Sequence, residues 1–170
     1  MKKLSIIIIL LLLVVFVTGC EKETKKEVVI NGKSVNTSKM EHKYCTREGT
    51  VENGEVSLSY DIYYTNDVLN IVKSIEKVTL DDSSMLDTYE EAYKKVHSYY
   101  EGLEYYDTSV VRNNNTVTST ININYDEIDI DKLISIEGEE DNIFTNKVPS
   151  VSKWLALGKK FGIKCELVEE

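Results

Sequence analysis

Three thiols and two imidazoles carry most of the chemistry open to this sequence, and one thiol sits in the most specific surroundings. Cys20 closes the run Val17-Thr18-Gly19-Cys20, which follows Lys2, Lys3 and an apolar stretch from Ile6 to Val17. A basic start, a short apolar core and small residues before a cleavage point make a secretory signal. A cysteine placed directly after them resembles a bacterial lipobox, where the small residues let the backbone lie close in a peptidase cleft and the thiol carries a lipid as a thioether. A membrane-spanning helix needs about 20 predominantly apolar residues, whereas this stretch has twelve before Gly19-Cys20-Glu21-Lys22 ends it. The chemistry expected at Cys20 is therefore acylation, with palmitate as the type of chain, and not catalysis. Two or more acyl chains hold a protein stably on a bilayer, so the expected location is the cell membrane, lipid-anchored, on the extracytoplasmic side.

Assigning Cys20 to a lipid leaves Cys45 and Cys165, an even pair, and export puts them where disulfides persist. Their pairing would tie the start of the folded domain to its end. The chain-entropy argument gives such a loop on the order of 4 to 5 kcal/mol as an upper figure. Two alternatives use the same residues. A redox pair more usually shows Cys-x-x-Cys spacing. A zinc site would combine the thiols with His42 and His97, and His42-Lys43-Tyr44-Cys45 does place two soft ligands close together, but His97 falls in an expected helix and no second tight ligand pair follows.

Other catalytic patterns are thin. No Gly-x-Ser-x-Gly elbow accompanies the histidines, no glycine-rich phosphate loop appears, and the acidic runs Asp81-Asp82 and Glu137 to Asn142 lack the spacing of a calcium loop. No cofactor and no metal site is implied. The eleven tyrosines include Tyr63-Tyr64, Tyr99-Tyr100 and Tyr105-Tyr106, and successive side chains on a strand point to opposite faces. One reading is that Tyr63 and Tyr106, with Arg112, offer an interaction surface for recognition. The other is that the rings cover the sheet beneath a helix and that Arg112, like Arg47, pairs with nearby acids.

Composition narrows the partners. The chain has 20 Lys plus Arg against 29 Asp plus Glu, and without Lys2 and Lys3 about eleven net negative charges remain. Nucleic-acid binding requires basic patches, so nucleic acid is excluded, and anionic headgroups are disfavoured for the same reason. The membrane contact expected is the lipid itself. Any further ligand is an unidentified protein or small molecule, and a monomer is the default state.

Residues 1–19 read as the signal, 20–40 as the lipidated cysteine with a flexible polar tether, and 41–170 as one domain. The tether offers almost nothing to bury apart from Val28-Val29-Ile30. Period-two alternation marks strands at 56–64 and 117–125. The pattern at 68–80 fits a helical stripe (Val68, Ile71, Val72, Ile75, Val78) or a bulged strand, and its β-branched content favours the strand. Asn53-Gly54, Asn66-Asp67 and Asn113-Asn114-Asn115 mark the reversals, the last of them joining a strand over 103–112 to the next. A helix starts near Asp87, with Glu90 completing a capping box, and runs through Tyr89, Tyr93, Val96 and Tyr100 to Gly102. A short helix is expected over 129–136. Another begins at Pro149-Ser150, presents Val151, Trp154, Leu155 and Phe161, and ends at Gly162; a last strand spans 163–168. The architecture is α+β, an antiparallel sheet of about six strands with helices on one face, in the order β-β-β-α-β-β-α-α-β.

These elements resemble the YehR-like family of small bacterial lipoproteins over roughly Tyr44 to Glu166. The resemblance rests on the lipobox Cys20, the strand from Ser57 to Tyr64, the helix Asp87-Thr88-Tyr89-Glu90-Glu91-Ala92-Tyr93-Lys94-Lys95, the strand Val117 to Asp126 running into Asp129 to Leu133, and the terminal Gly162-Ile163-Lys164-Cys165. It implies an α+β lipoprotein domain of uncharacterised function with no assigned catalytic residues. The expectation is a non-catalytic binding or envelope-associated module, and the alternative is a surface-exposed hydrolase or cation-binding accessory factor.

Overall fold

The computed structural model describes residues 27–30, 32–139 and 142–169. The expected signal, Cys20 and residues 21–26 of the expected tether lie outside the described residues. In chain order the strands are β1 (Glu27–Ile30), β2 (Lys33–Asn36), β3 (Glu41–Val51), β4 (Gly54–Thr65) and β5 (Val68–Leu80). A 3₁₀ turn at Ser83–Met85 leads into α1 (Leu86–Ser98), followed by β6 (Tyr106–Asn113), β7 (Thr116–Asn124) and α2 (Ile130–Ile134). The short strands β8 (Phe144–Thr145) and β9 (Val148–Pro149) precede α3 (Val151–Lys160) and β10 (Lys164–Leu167).

Six strands form one antiparallel sheet in the order β10-β3-β4-β5-β7-β6. Asparagines make its reversals: Asn53, Asn66 and Asn114 have φ of 59°, 57° and 51°, the left-handed region that asparagine tolerates better than other non-glycine residues. Removing the small hairpins β1–β2 and β8–β9 leaves the expected order of strands and helices. The 68–80 segment is a strand. It pairs with β4 on one side and β7 on the other, and a bulge between Tyr63 and Tyr64 sets Asn70 as the extra residue. Its stripe mimics a helix because Ile71 and Val72 are adjacent yet both buried, one on each face of the sheet.

Directly opposed residues define those faces. Ile62, Val72 and Ile123 align across β4, β5 and β7 and join Cys45, Tyr64, Leu133 and Val151 in the larger core. Val78 and Val117 align further along the same face and pack with Leu80 and Leu86 of α1. The helices therefore cover one face. α3 is fixed there by Asp67 in the β4–β5 turn, which accepts hydrogen bonds from Ser150 Oγ at 2.7 Å and Ser152 N at 2.9 Å. Trp154 meets Tyr60 edge-on at 5.1 Å.

The opposite face is covered at one end by the β1–β2 hairpin. Val28 and Ile30 pack on Ile71, with Val35, Met40 and Tyr63 around them. This corrects the expected tether: within the described residues the segment before residue 41 is a hairpin, because Val28 and Ile30 alternate with Glu27 and the exposed Val29 and so supply one buried stripe. Three smaller corrections follow from phase and turns. Val96 is exposed, and His97 takes the buried place one residue on. Phe161 lies beyond α3, with 59% exposure. The strand expected from residue 103 starts at Tyr106 instead, because Gly102 and Tyr105 both take positive φ and make a turn.

Two outcomes test this packing. Ile30→Ala is expected to cost about 2–5 kcal/mol in urea denaturation, whereas Val29→Ala stays within about 0.5 kcal/mol; equal effects would remove the hairpin from the core. Intact mass should rise by two hydrogens on reduction, and an unchanged mass would sink the Cys45–Cys165 bond.

Candidate functional site

Cys45 and Cys165 face each other directly in the β3–β10 ladder, with Cα atoms 4.0 Å apart and their sulfurs joined. Cys45 is fully buried in the larger core, opposite Tyr60 in the β3–β4 ladder. The two thiols expected as a staple thus hold the last strand on the sheet.

Tyr63, Tyr106 and Arg112 do not form one surface. Tyr63 lies on the hairpin-bearing face, stacked on the His42 ring at 4.3 Å and 8°. Tyr106 lies on the helix-bearing face, stacked on Tyr100 at 4.2 Å and 3°. Tyr100 Oη donates to Glu139 Oε1 at 2.5 Å. Burial first, and then Glu139 or neighbouring phenols, pushes Tyr100, Tyr106 and Tyr125 well above the ordinary phenol value, so these rings remain protonated core groups. Exposed phenols are found instead at Tyr44 and Tyr99. Arg112 pairs with Asp87, reaches Glu90 at 3.9 Å and donates to the Ser83 carbonyl at 3.2 Å. The expected capping box does not form: Met85 precedes α1 without a side-chain cap bond, and Asp82 caps the preceding 3₁₀ turn by accepting from Ser84 N at 2.9 Å.

Two of the clefts collect charged side chains. A groove of about 440 Å³ is lined by Ser38, Met40, Glu41, His42, Leu167 and Glu169, among others. At its wall His42 Nε2 donates to Asp61 Oδ1 at 2.8 Å, while Tyr64 Oη donates to Glu41 at 3.1 Å. Among the described residues no hydroxyl or thiol is hydrogen-bonded to His42. The dyad is an imidazole oriented by a carboxylate at the wall of a groove that Ser38 also lines. Nothing local in the sequence announced it, since Asp61 and His42 meet only through the β3–β4 register.

The second cleft, about 280 Å³, lies between β2 and the far end of β7, and Lys33, Ser34, Asn36, Tyr105, Asp126 and Glu127 contribute to its lining. Lys33 Nζ donates to Tyr105 Oη at 2.8 Å and stands 4.4 Å from its ring centroid. Tyr105 has φ of 66°, a conformation that costs a bulky residue about 1–3 kcal/mol and concentrates where a side chain must be aimed. Asn70, 8% exposed, donates Nδ2 to Asp126 Oδ1 at 2.8 Å, and among the described residues its own Oδ1 has no partner.

His97 and the cysteines do not converge on a metal site. His97 is hydrogen-bonded to Ser119 Oγ at 3.0 Å beneath α1, and among the described residues no group of three or more His, Cys, Asp or Glu is placed to hold a metal ion. Among them also no helix is long and apolar enough to cross a membrane. Burial holds the His97 imidazole below its ordinary value of 6.5. The folded state then binds fewer protons than the unfolded one, so the stability tied to this group is complete above that value and falls as the pH drops through it. Urea stability should decline from pH 7 to pH 5, and His97→Gln should flatten part of that decline. An unchanged slope in the variant would assign it elsewhere.

No protein-family model and no curated protein matches the chain. Among solved structures, the NMR structure of Escherichia coli YehR is 14% identical, with a TM-score of 0.53 over 78% of this chain and 94% of that one. An NMR structure of a protein from Streptococcus pneumoniae TIGR4 is 15% identical, with a TM-score of 0.48 over 88% of this chain and 98% of that one. The six-stranded sheet and the helices on its one face make up a YehR-like fold.

Proposed function

We propose that this chain is a YehR-family lipoprotein, held through Cys20 on the extracytoplasmic side of the cell membrane, and that its folded domain is a non-catalytic binding module. The observation that carries this reading is the occupation of two of the three cysteines. Cys45 and Cys165 are joined across β3 and β10, a bond suited to an oxidising compartment, so the odd cysteine is the one that ends Val17-Thr18-Gly19-Cys20. The binding half of the reading is supported by the cleft beside the hairpin, where Lys33, Tyr105, Asp126 and Glu127 present charged and aromatic groups, whereas Tyr100, Tyr106 and Arg112 are engaged with neighbouring rings or acids.

The test is attachment. Expressed in a bacterial host with a labelled fatty acid, the wild-type chain should take up label and partition into the detergent phase of a Triton X-114 separation. Cys20→Ser should lose both properties. An unlabelled wild-type chain in the aqueous phase would overturn the proposal.

A further inference from the structure

We infer that the cleft between the β1–β2 hairpin and the β6–β7 end of the sheet binds a small zwitterion, an α-amino acid or a dipeptide, with its carboxylate on Lys33 and its ammonium group on Asp126 and Glu127. The cleft holds about 280 Å³, just under the roughly 300–1,000 Å³ typical of pockets for drug-sized molecules. Its walls carry both signs of charge. Lys33 comes from β2, Asp126 and Glu127 from the turn after β7, and among the described residues no ion pair joins Lys33 to either acid. A lone anion would meet the carboxylates and a lone cation would meet the ammonium group, so a ligand carrying both charges satisfies the site with least repulsion.

Both ends are held in place before any ligand arrives. Lys33 commits one N–H to Tyr105 Oη and lies over the ring, which fixes its direction and leaves the other two donors of the ammonium group to a carboxylate. Asp126 is gripped from beneath by Asn70 Nδ2 at 2.8 Å. Its backbone N–H donates to Asn124 Oδ1 at 3.1 Å. Asn70 is itself the bulge residue of β5, and its buried Oδ1 is left without a partner among the described residues. Side chains already oriented lose little freedom on binding. Ser34 and Asn36 on the hairpin wall add neutral polar groups.

Calorimetric titration of the full chain in detergent micelles tests this with four probes: L-alanine, L-alanyl-L-alanine, N-acetyl-L-alanine and L-alaninamide. At least one of the two zwitterions should bind saturably. N-acetyl-L-alanine, which keeps only the negative charge, and L-alaninamide, which keeps only the positive one, should bind at least tenfold more weakly. Lys33→Met and Glu127→Gln, both at exposed positions, should each weaken the zwitterion by tenfold or more and leave the thermal midpoint unchanged, while Lys39→Met in the other groove should leave affinity unchanged. Equal binding of a singly charged analogue, no saturable binding of either zwitterion at millimolar concentration, or unaltered affinity in both cleft variants would overturn the assignment. The Cys20→Ser chain should bind equally well, which separates this result from the question of attachment.

Discussion

Ile71 and Val72 stand side by side on the central strand and are both buried, one on each face of the sheet. Almost everything else follows from that arrangement. A strand buried on both faces needs a cover on each side. Here the helices provide one, through Leu86, Leu133 and Val151, and the β1–β2 hairpin provides the other, through Val28 and Ile30. Alternation along the strand lets it serve both, and the neighbouring Tyr63 and Tyr64 on β4 likewise pack on opposite faces, with the bulge at Asn70 between their partners.

The sheet was legible because its signals are local. Asparagine turns, period-two alternation and the run of β-branched residues from Val68 to Val78 each specify backbone within a few positions, and their sum gave the order of strands and helices. The cysteine pair was legible from counting alone, since setting Cys20 aside leaves Cys45 and Cys165, the two that face each other across β3 and β10. Helix phase was harder. In α1 the choice between Val96 and His97 as the buried residue depends on what lies beneath, and Ser119 on β7 supplies a hydrogen bond that favours the imidazole.

The clefts were not legible, for a related reason. His42 with Asp61, Lys33 with Tyr105 and Asn70 with Asp126 are separated by 19, 72 and 56 residues, so each depends on register or on where the hairpin docks. The hairpin itself escaped because its buried stripe contains only two side chains, Val28 and Ile30. The tyrosine count pointed to a recognition surface, yet aromatic rings with a polar tip serve equally well at the edge of a core. Tyr100 and Tyr106, stacked beside Glu139, take that second role.

The strand ladder also sets how the domain resists force. A load entering from the N-terminal side reaches β1 first, and β1 pairs only with β2, through four residue pairs. The next strand, β3, is zipped to β4 over eleven pairs and bonded covalently to β10. A pull from that side therefore meets four hairpin pairs and the packing of Val28 and Ile30 on Ile71 before it meets the cross-linked ladder.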